Sequence, residues 1–307
     1  MPFQNMKRNP ALWRLRSRTL DLGTRTLLMA IVNITPDSFS DAGQHFSTDK
    51  AIAHGLKLLD EGADLLDLGA ESTRPGVFTG AEIGALSTDE EQARLLPVVE
   101  GILRQRPDAI LSVDTYKAAT AEAAIGAGAE IINDVSGFTW DAALASICAV
   151  GRCGIVLTHT RGVPSQWHSQ PPIADADVLR IVLEGLQTSL QIARTAGVQE
   201  DAIVVDPGYG FGKRSSQNYV LLAGQAELLQ LGRPLLAGVS RKSFLMGSLA
   251  QLRIDDTPSG ELRETASEAA MVAAILHGAS IVRVHSVRRP LQAATIADAL
   301  LRAQRDC

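Results

Sequence analysis

The stretch GAGAEIINDVSG, residues 126–137, holds the pattern that decides the fold. Gly126 and Gly128 close a helix-like segment, a short candidate strand of Glu130 and two isoleucines follows at 130–132, and it stops on two polar side chains, Asn133 and Asp134. Glycine just past a helix suits the left-handed position there. An unbroken apolar run is what a parallel strand covered on both faces requires. The same unit recurs in both directions along the chain. EGAD at 61–64 leads into LLDL, and HGAS at 277–280 leads into IVRV. Apolar runs at 27–32, 65–68, 110–113, 130–132, 155–157, 202–205, 235–237 and 281–284 are the candidate strands. Between them, segments 49–61, 89–106, 115–126, 175–196 and 261–277 have helical composition. The first opens near Thr48 and Asp49, a helix-capping pair, and most end at a Gly or before a Pro.

Eight such units with no break in composition predict the α/β class. They fit a (β/α)8 barrel in one domain, with a doubly wound sheet as the alternative. Residues 27–307 are assigned to the barrel and 1–26 to an N-terminal extension or small hairpin across its bottom. A length of 307 residues suits one barrel. The 46% hydrophobic content with only 4% aromatics matches an interior filled by aliphatic side chains.

The formal charge of −5 argues against a nucleic-acid partner, which would call for a basic excess or a basic face. Lys7, Arg8, Arg14, Arg16 and Arg18 read as a solvated tail; no apolar segment beside them makes a targeting signal. No apolar run approaches the about 20 residues that span a bilayer. Cys148, Cys153 and Cys307 are odd in number and lack CxxC spacing. A disulfide framework is therefore not expected, and a reducing cytoplasm is.

Barrel active sites form where the strands end. Here each apolar run is followed by polar chemistry: Asn33 in NITPDSFSD, then DLGAESTRPG, Asp114 in SVDTYK, and Asn133 in INDVSG. His159 in LTHTRG, Asp206 in VVDPGYGFGK, the segment GVSRKSF, and RVHSV complete the rim. Asp114, Asn133 and Asp206 can read the donor and acceptor edge of a flat heterocycle. Arg74, Arg283 and His285 can hold an oxyanion, with Arg suited to bidentate phosphate contact. Ser243 and Phe244 open a further expected helix. DPGYGFGKRS fails as a phosphate-binding P-loop, because Pro207 and Arg214 stand where Gly and Ser or Thr are needed, and its glycines lack the dinucleotide-binding spacing. No H-x-H or H-E-x-x-H pair suggests a zinc site.

MAIVNITPDSFSD, GADLLDLGAESTRPG, SVDTYKA, INDVSG, DPGYGFGK, GVSRKSF and RVH occur in the order found in the dihydropteroate synthase family, and the chain resembles it from about residue 29 to 287. The resemblance implies a transferase that condenses 6-hydroxymethyl-7,8-dihydropterin pyrophosphate with p-aminobenzoate, with Mg²⁺ as cofactor and sulfonamides as competitors. It assigns Asp114, Asn133, Asp206, Lys242 and Arg283 to the pterin, and Thr73, Pro75, Phe211, Lys242 and Ser243 to p-aminobenzoate. Asn33, Arg74, Arg283 and His285 go to the pyrophosphate, with Asn33 nearest the metal. Asp114, Arg74, Lys242, Arg283 and His285 would form the catalytic set. The loops around Asp37, Ser38 and Phe39 and at 72–76 would close over the second substrate, and a homodimer through the last helices is implied. Three positions depart from the family pattern. Ser286 replaces the Asp of RVHDV, Thr158 replaces a Met, and the stretch 77–91 is altered. Two alternatives stay open: a pterin-binding paralogue without catalysis, and a pterin-binding methyltransferase domain, which would need neither ESTRPG nor SRKSF.

Overall fold

The computed structural model describes residues 10–34, 44–71, 86–167, 169–249 and 259–303, apart from the side chains of 44–47 and 259. Eight parallel strands close into a barrel: β3 (Leu27–Asn33), β4 (Leu65–Gly69), β5 (Leu111–Asp114), β6 (Ile131–Asp134), β7 (Gly154–Thr158), β8 (Ile203–Asp206), β9 (Leu235–Ala237) and β10 (Ala279–Val284). Each pairs with its sequence neighbour, and β10 closes on β3. The (β/α)8 expectation therefore stands and the doubly wound alternative does not.

Strand alternation divides the aliphatic residues between two cores. Leu28, Ala30, Val32, Leu66 and Leu68 face the surrounding helices, where they join α-helical residues such as Leu95, Val98 and Ile102. Leu27, Met29, Leu65, Ile131, Val156, Val204, Leu236 and Ile281 form a second cluster that fills the lower barrel. An antiparallel hairpin, β1 (Leu12–Arg14) with β2 (Thr19–Asp21), closes that end. Its Trp13 is fully buried and donates from Nε1 to the Ala202 carbonyl at 2.8 Å. Gly154 makes room for this plug, since a Cβ there would lie 2.5 Å from Leu15 Cδ2.

The helices are α1 (Gln44–Asp60), α2 (Thr88–Gln105), α3 (Ala118–Ala127), α4 (Leu144–Gly151), α5 (Val178–Thr195), α6 (Ser215–Ala223), α7 (Ser243–Leu249), α8 (Ser259–Leu276) and α9 (Arg288–Ala303). Several expected boundaries need correction. α1 begins a turn before Thr48 and Asp49. α2 begins at a reciprocal capping box between Ser87 and Glu90. α3 begins only at Ala118, because the Thr115 side chain instead accepts from the Lys117 N–H at 3.2 Å. Residues 175–177, expected as helix, form a 3-10 turn before α5. α4 and α6, at 8 and 9 residues, are too short to announce themselves by periodicity.

Candidate active site

The upper barrel is polar where the lower barrel is aliphatic. Strand register explains the change. Asn33, Gly69, Asp114 and Asn133 are successive partners across β3, β4, β5 and β6, so four strands reach the same rim together. Thr158 pairs with Asp206 across β7 and β8 in the same way.

At the centre lies Asp67, which is fully buried. Its Oδ1 accepts from Ser112 Oγ at 2.6 Å, and its Oδ2 accepts from Asn133 Nδ2 at 2.9 Å and from Arg283 Nε at 2.6 Å. Arg283 Nη2 also donates to Asp114 Oδ2 at 2.7 Å. One guanidinium from β10 thus holds two carboxylates from β4 and β5, and Asn133 of β6 is held by the first of them. Burial pushes the Asp114 carboxyl up to about 7, against the opposing pull of Arg283.

Across the opening, the Asp206 Oδ1 accepts the Gly208 N–H at 2.7 Å. Burial raises its pKa, while that hydrogen bond and the nearby Lys242 and Arg283 lower it. Lys242 is the residue just before α7. Burial lowers its pKa to about 8, partly countered by Asp206. Its Nζ lies 3.9 Å from the Phe211 ring centroid, within cation–π reach. Gly238 lies beside this corner, where a Cβ would be in ordinary contact with Asp206 Oδ2 at 3.5 Å and Arg283 Cβ at 4.0 Å.

Asp114, Asn133, Asp206, Lys242, Arg283 and Phe211 therefore line one opening. Asn33 ends β3 exposed on the same rim, and Ser243 is the exposed first residue of α7. His285 follows β10, with Nδ1 3.0 Å from Ser240 Oγ. Thr73, Arg74 and Pro75, and the expected mobile loops at 37–39 and 72–76, lie outside the described residues. The last described residue before the second loop is Glu71. It is held by Tyr116 Oη at 3.0 Å and by Lys117, which also reaches Glu91 at 3.1 Å.

Asp67 and Ser112 were not singled out from the sequence. The signal was an Asp inside the apolar run LLDLG, a charge that a strand interior tolerates only when it is paired. Of the departures from the family pattern, Ser286 donates to Glu264 Oε2 at 3.0 Å, so an Asp in its place would face a carboxylate. Thr158 is buried, and the Cβ of any residue at Gly208 would lie 3.2 Å from its Cγ2.

The pattern of the family described as "Pterin binding enzyme" matches residues 29–285. The chain belongs to that family. Dihydropteroate synthase of Bacillus subtilis (strain 168) is 41% identical over 277 residues, covering 90% of this chain and 89% of the relative. The structure of Xanthomonas albilineans dihydropteroate synthase with 4-aminobenzoic acid superimposes with a TM-score of 0.83 at 38% identity, covering 95% of this chain and 98% of that one. The same enzyme in complex with 7,8-dihydropteroate gives a TM-score of 0.80 at 36% identity, covering 94% and 98%. In this pterin-binding enzyme, the polar upper barrel occupies the end where barrel enzymes hold their substrates.

Among the described residues, no group of three or more His, Cys, Asp or Glu stands ready to cage a metal. Asn33, an exposed residue with an amide oxygen, suits an ion that keeps several waters and binds mainly through substrate phosphates, which is the habit of Mg²⁺.

Proposed function

We propose that this protein condenses 6-hydroxymethyl-7,8-dihydropterin pyrophosphate with p-aminobenzoate, forming 7,8-dihydropteroate and pyrophosphate. The observation that carries the reading is the convergence of Asp114, Asn133 and Asp206 with Arg283 and Lys242 in one opening. Carboxylates and an amide match a ring that offers an exocyclic amine and ring N–H groups. The Arg283 guanidinium matches a diphosphate, and the Lys242 ammonium stands between the ring and the arylamine. Dihydropteroate synthases of the same fold, in complex with 4-aminobenzoic acid and with 7,8-dihydropteroate, support it.

In this reading Asp206, Asn133 and Asp114 orient the pterin. Arg283, with Arg74 and His285, steadies the negative charge that grows on the departing diphosphate. Asp114 steadies the positive charge left on the pterin methylene, which the arylamine nitrogen then traps. Lys242 and Phe211, with Thr73, Pro75 and Ser243, hold the arylamine. Asn33 would help hold Mg²⁺, which would supply charge neutralisation at the leaving diphosphate. No covalent enzyme intermediate is required. Sulfonamides, built like p-aminobenzoate, compete for its pocket. The enzyme works in the cytoplasm as a homodimer; Ile296 and Leu300, one turn apart on α9 and 65% and 50% exposed, support pairing through that helix.

The test is pyrophosphate release by the purified chain with pterin pyrophosphate and Mg²⁺, with and without p-aminobenzoate. Release that depends on p-aminobenzoate, with dihydropteroate as product, is expected. Pterin binding with no release would instead assign the chain to the non-catalytic paralogues.

A further inference from the structure

We propose that Lys213, to which neither the motifs nor the resemblance assigned a role, is the positioning residue of the arylamine half of the site. The proposal rests on the function proposed above. Lys213 ends the glycine-rich segment after β8, and only 7% of it is exposed. Its Nζ lies 2.7 Å from the Gly208 carbonyl, 3.3 Å from the Phe211 carbonyl and 3.3 Å from the His159 carbonyl. An ammonium has three N–H donors and no acceptor. Three carbonyls therefore use it fully, and they leave no donor for the lone pair of a neutral amine.

These three carbonyls come from two loops. His159 follows β7, whereas Gly208 and Phe211 follow β8. The loops touch without room for a side chain. A Cβ on Gly208 would lie 1.9 Å from the His159 carbonyl oxygen, and one on Gly212 would lie 2.7 Å from Arg161 Cβ. Arg161 Nη1 adds a bond to the Gly212 carbonyl at 3.1 Å. Trp167, from the β7 loop, packs on Phe211 with ring centroids 5.0 Å apart.

The ring braced in this way is the one that carries Lys242 Nζ at 3.9 Å. Among the described residues, Lys213 donates to no pterin-facing side chain; its acceptors are the backbone carbonyls of the two loops. Losing it should shift Phe211, and with it the arylamine, while the Asp67–Asn133–Arg283–Asp114 network on the opposite strands stays in place.

The experiment is Lys213→Met in the full chain, with steady-state kinetics, calorimetric pterin pyrophosphate binding in the absence of arylamine, and thermal melting. KM for p-aminobenzoate is expected to rise about tenfold, because small misplacements of a bound reactant are costly. Pterin pyrophosphate affinity should fall by a clearly smaller factor, since that network keeps its geometry and only Asp206, held by the Gly208 N–H, feels the change. A lower melting temperature with unchanged KM, or equal loss of pterin and arylamine affinity, overturns the proposal by making Lys213 merely structural. If Lys213→Met does not fold, Arg161→Met removes the bonds to the Gly212 and Pro171 carbonyls and leaves Lys213 in place. It should shift the arylamine KM in the same direction by a smaller factor, and an unchanged value overturns the proposal. Wild-type protein is the control that separates the two readings. If it shows no p-aminobenzoate-dependent turnover, the function proposed above fails and this role falls with it. Wild-type turnover with an unaffected variant removes only the role of Lys213.

Discussion

Arg283 Nε and Asp67 Oδ2 meet at 2.6 Å inside the barrel, joining β10 to β4 across 216 residues of sequence. The carboxylate is fully buried, and the guanidinium is its charge partner. Removing one member of such a pair leaves the other unpaired, at a cost of about 3 to 5 kcal/mol. Arg283→Met should therefore lower the unfolding free energy by about that amount in urea titration. Asp67→Asn, which keeps the shape and an acceptor, should cost less. An Arg283→Met protein as stable as wild type would show that the pair contributes nothing.

On the proposed function, Asp114 and Lys242 should set the pH range of activity. Burial raises Asp114 from 3.8 to about 7 and lowers Lys242 from 10.5 to about 8. A raised carboxyl is charged only above its folded value, and a lowered ammonium only below its own. The form with Asp114 ionised and Lys242 protonated therefore peaks between about 7 and about 8. kcat/KM should fall on both sides, following the free enzyme. For stability, ionising Asp114 disfavours the fold, so its contribution is present at low pH and is lost as pH rises through about 7. Lys242 acts oppositely: its contribution is present at high pH and is lost as pH falls through about 8. Asp114→Asn should abolish the acid limb while leaving the alkaline one. An acid limb that persists in the variant would assign it to another group.

The barrel was legible because its evidence is repetitive. Mainly apolar runs with polar ends recur eight times, several of them continuous and several after glycine-ended helices, and each barrel strand overlaps one of those runs. Site membership was legible where a polar residue ended a run, as at Asp114, Asn133 and Asp206. It failed where the residue sat inside a run, as Asp67 does, or acted through backbone carbonyls, as Lys213 does. The charge that offsets Asp67 is 216 residues distant, and the acceptors of Lys213 have no side-chain signature. Short helices such as α4 failed for a simpler reason, since about two turns hold too few residues to establish a period.

Ser286 sits beside Glu264, whose other oxygen takes Arg241 Nε at 2.5 Å. Ser286→Asp restores the residue usual in the family but replaces a donor with a like charge. It should destabilise the protein by roughly 1 kcal/mol, a typical cost for a single substitution, read as a lower melting temperature. Paired with Glu264→Gln the loss should shrink, because the repulsion is gone. Equal losses in both backgrounds would separate Ser286 from Glu264.

If α9 mediates dimerisation, a charge on its exposed apolar stripe should split the dimer. Ile296→Asp and Leu300→Asp place that charge on residues that contribute little to the monomer's own core. Sedimentation should show a monomer at concentrations where wild type is a dimer, with barrel secondary structure retained. A wild-type monomer would remove the homodimer from the proposal.

On the proposed function Lys242 serves both substrates, since it lies against the Phe211 ring on one side and within electrostatic reach of Asp206 on the other. Lys242→Ala should therefore weaken both pterin pyrophosphate and p-aminobenzoate, each by about tenfold for a lost charged contact of about 1.5 kcal/mol. Arg74, assigned to the departing diphosphate, should behave differently. Arg74→Ala should lower turnover more than it lowers pterin binding measured without arylamine, because its charge matters most as the carbon–oxygen bond breaks. The two variants together separate binding from chemistry. Unchanged affinities in Lys242→Ala would refute its double role. Parallel losses of binding and turnover in Arg74→Ala would mean that this arginine holds the ground state and the bond-breaking state equally, leaving Arg283 and His285 to stabilise the leaving group.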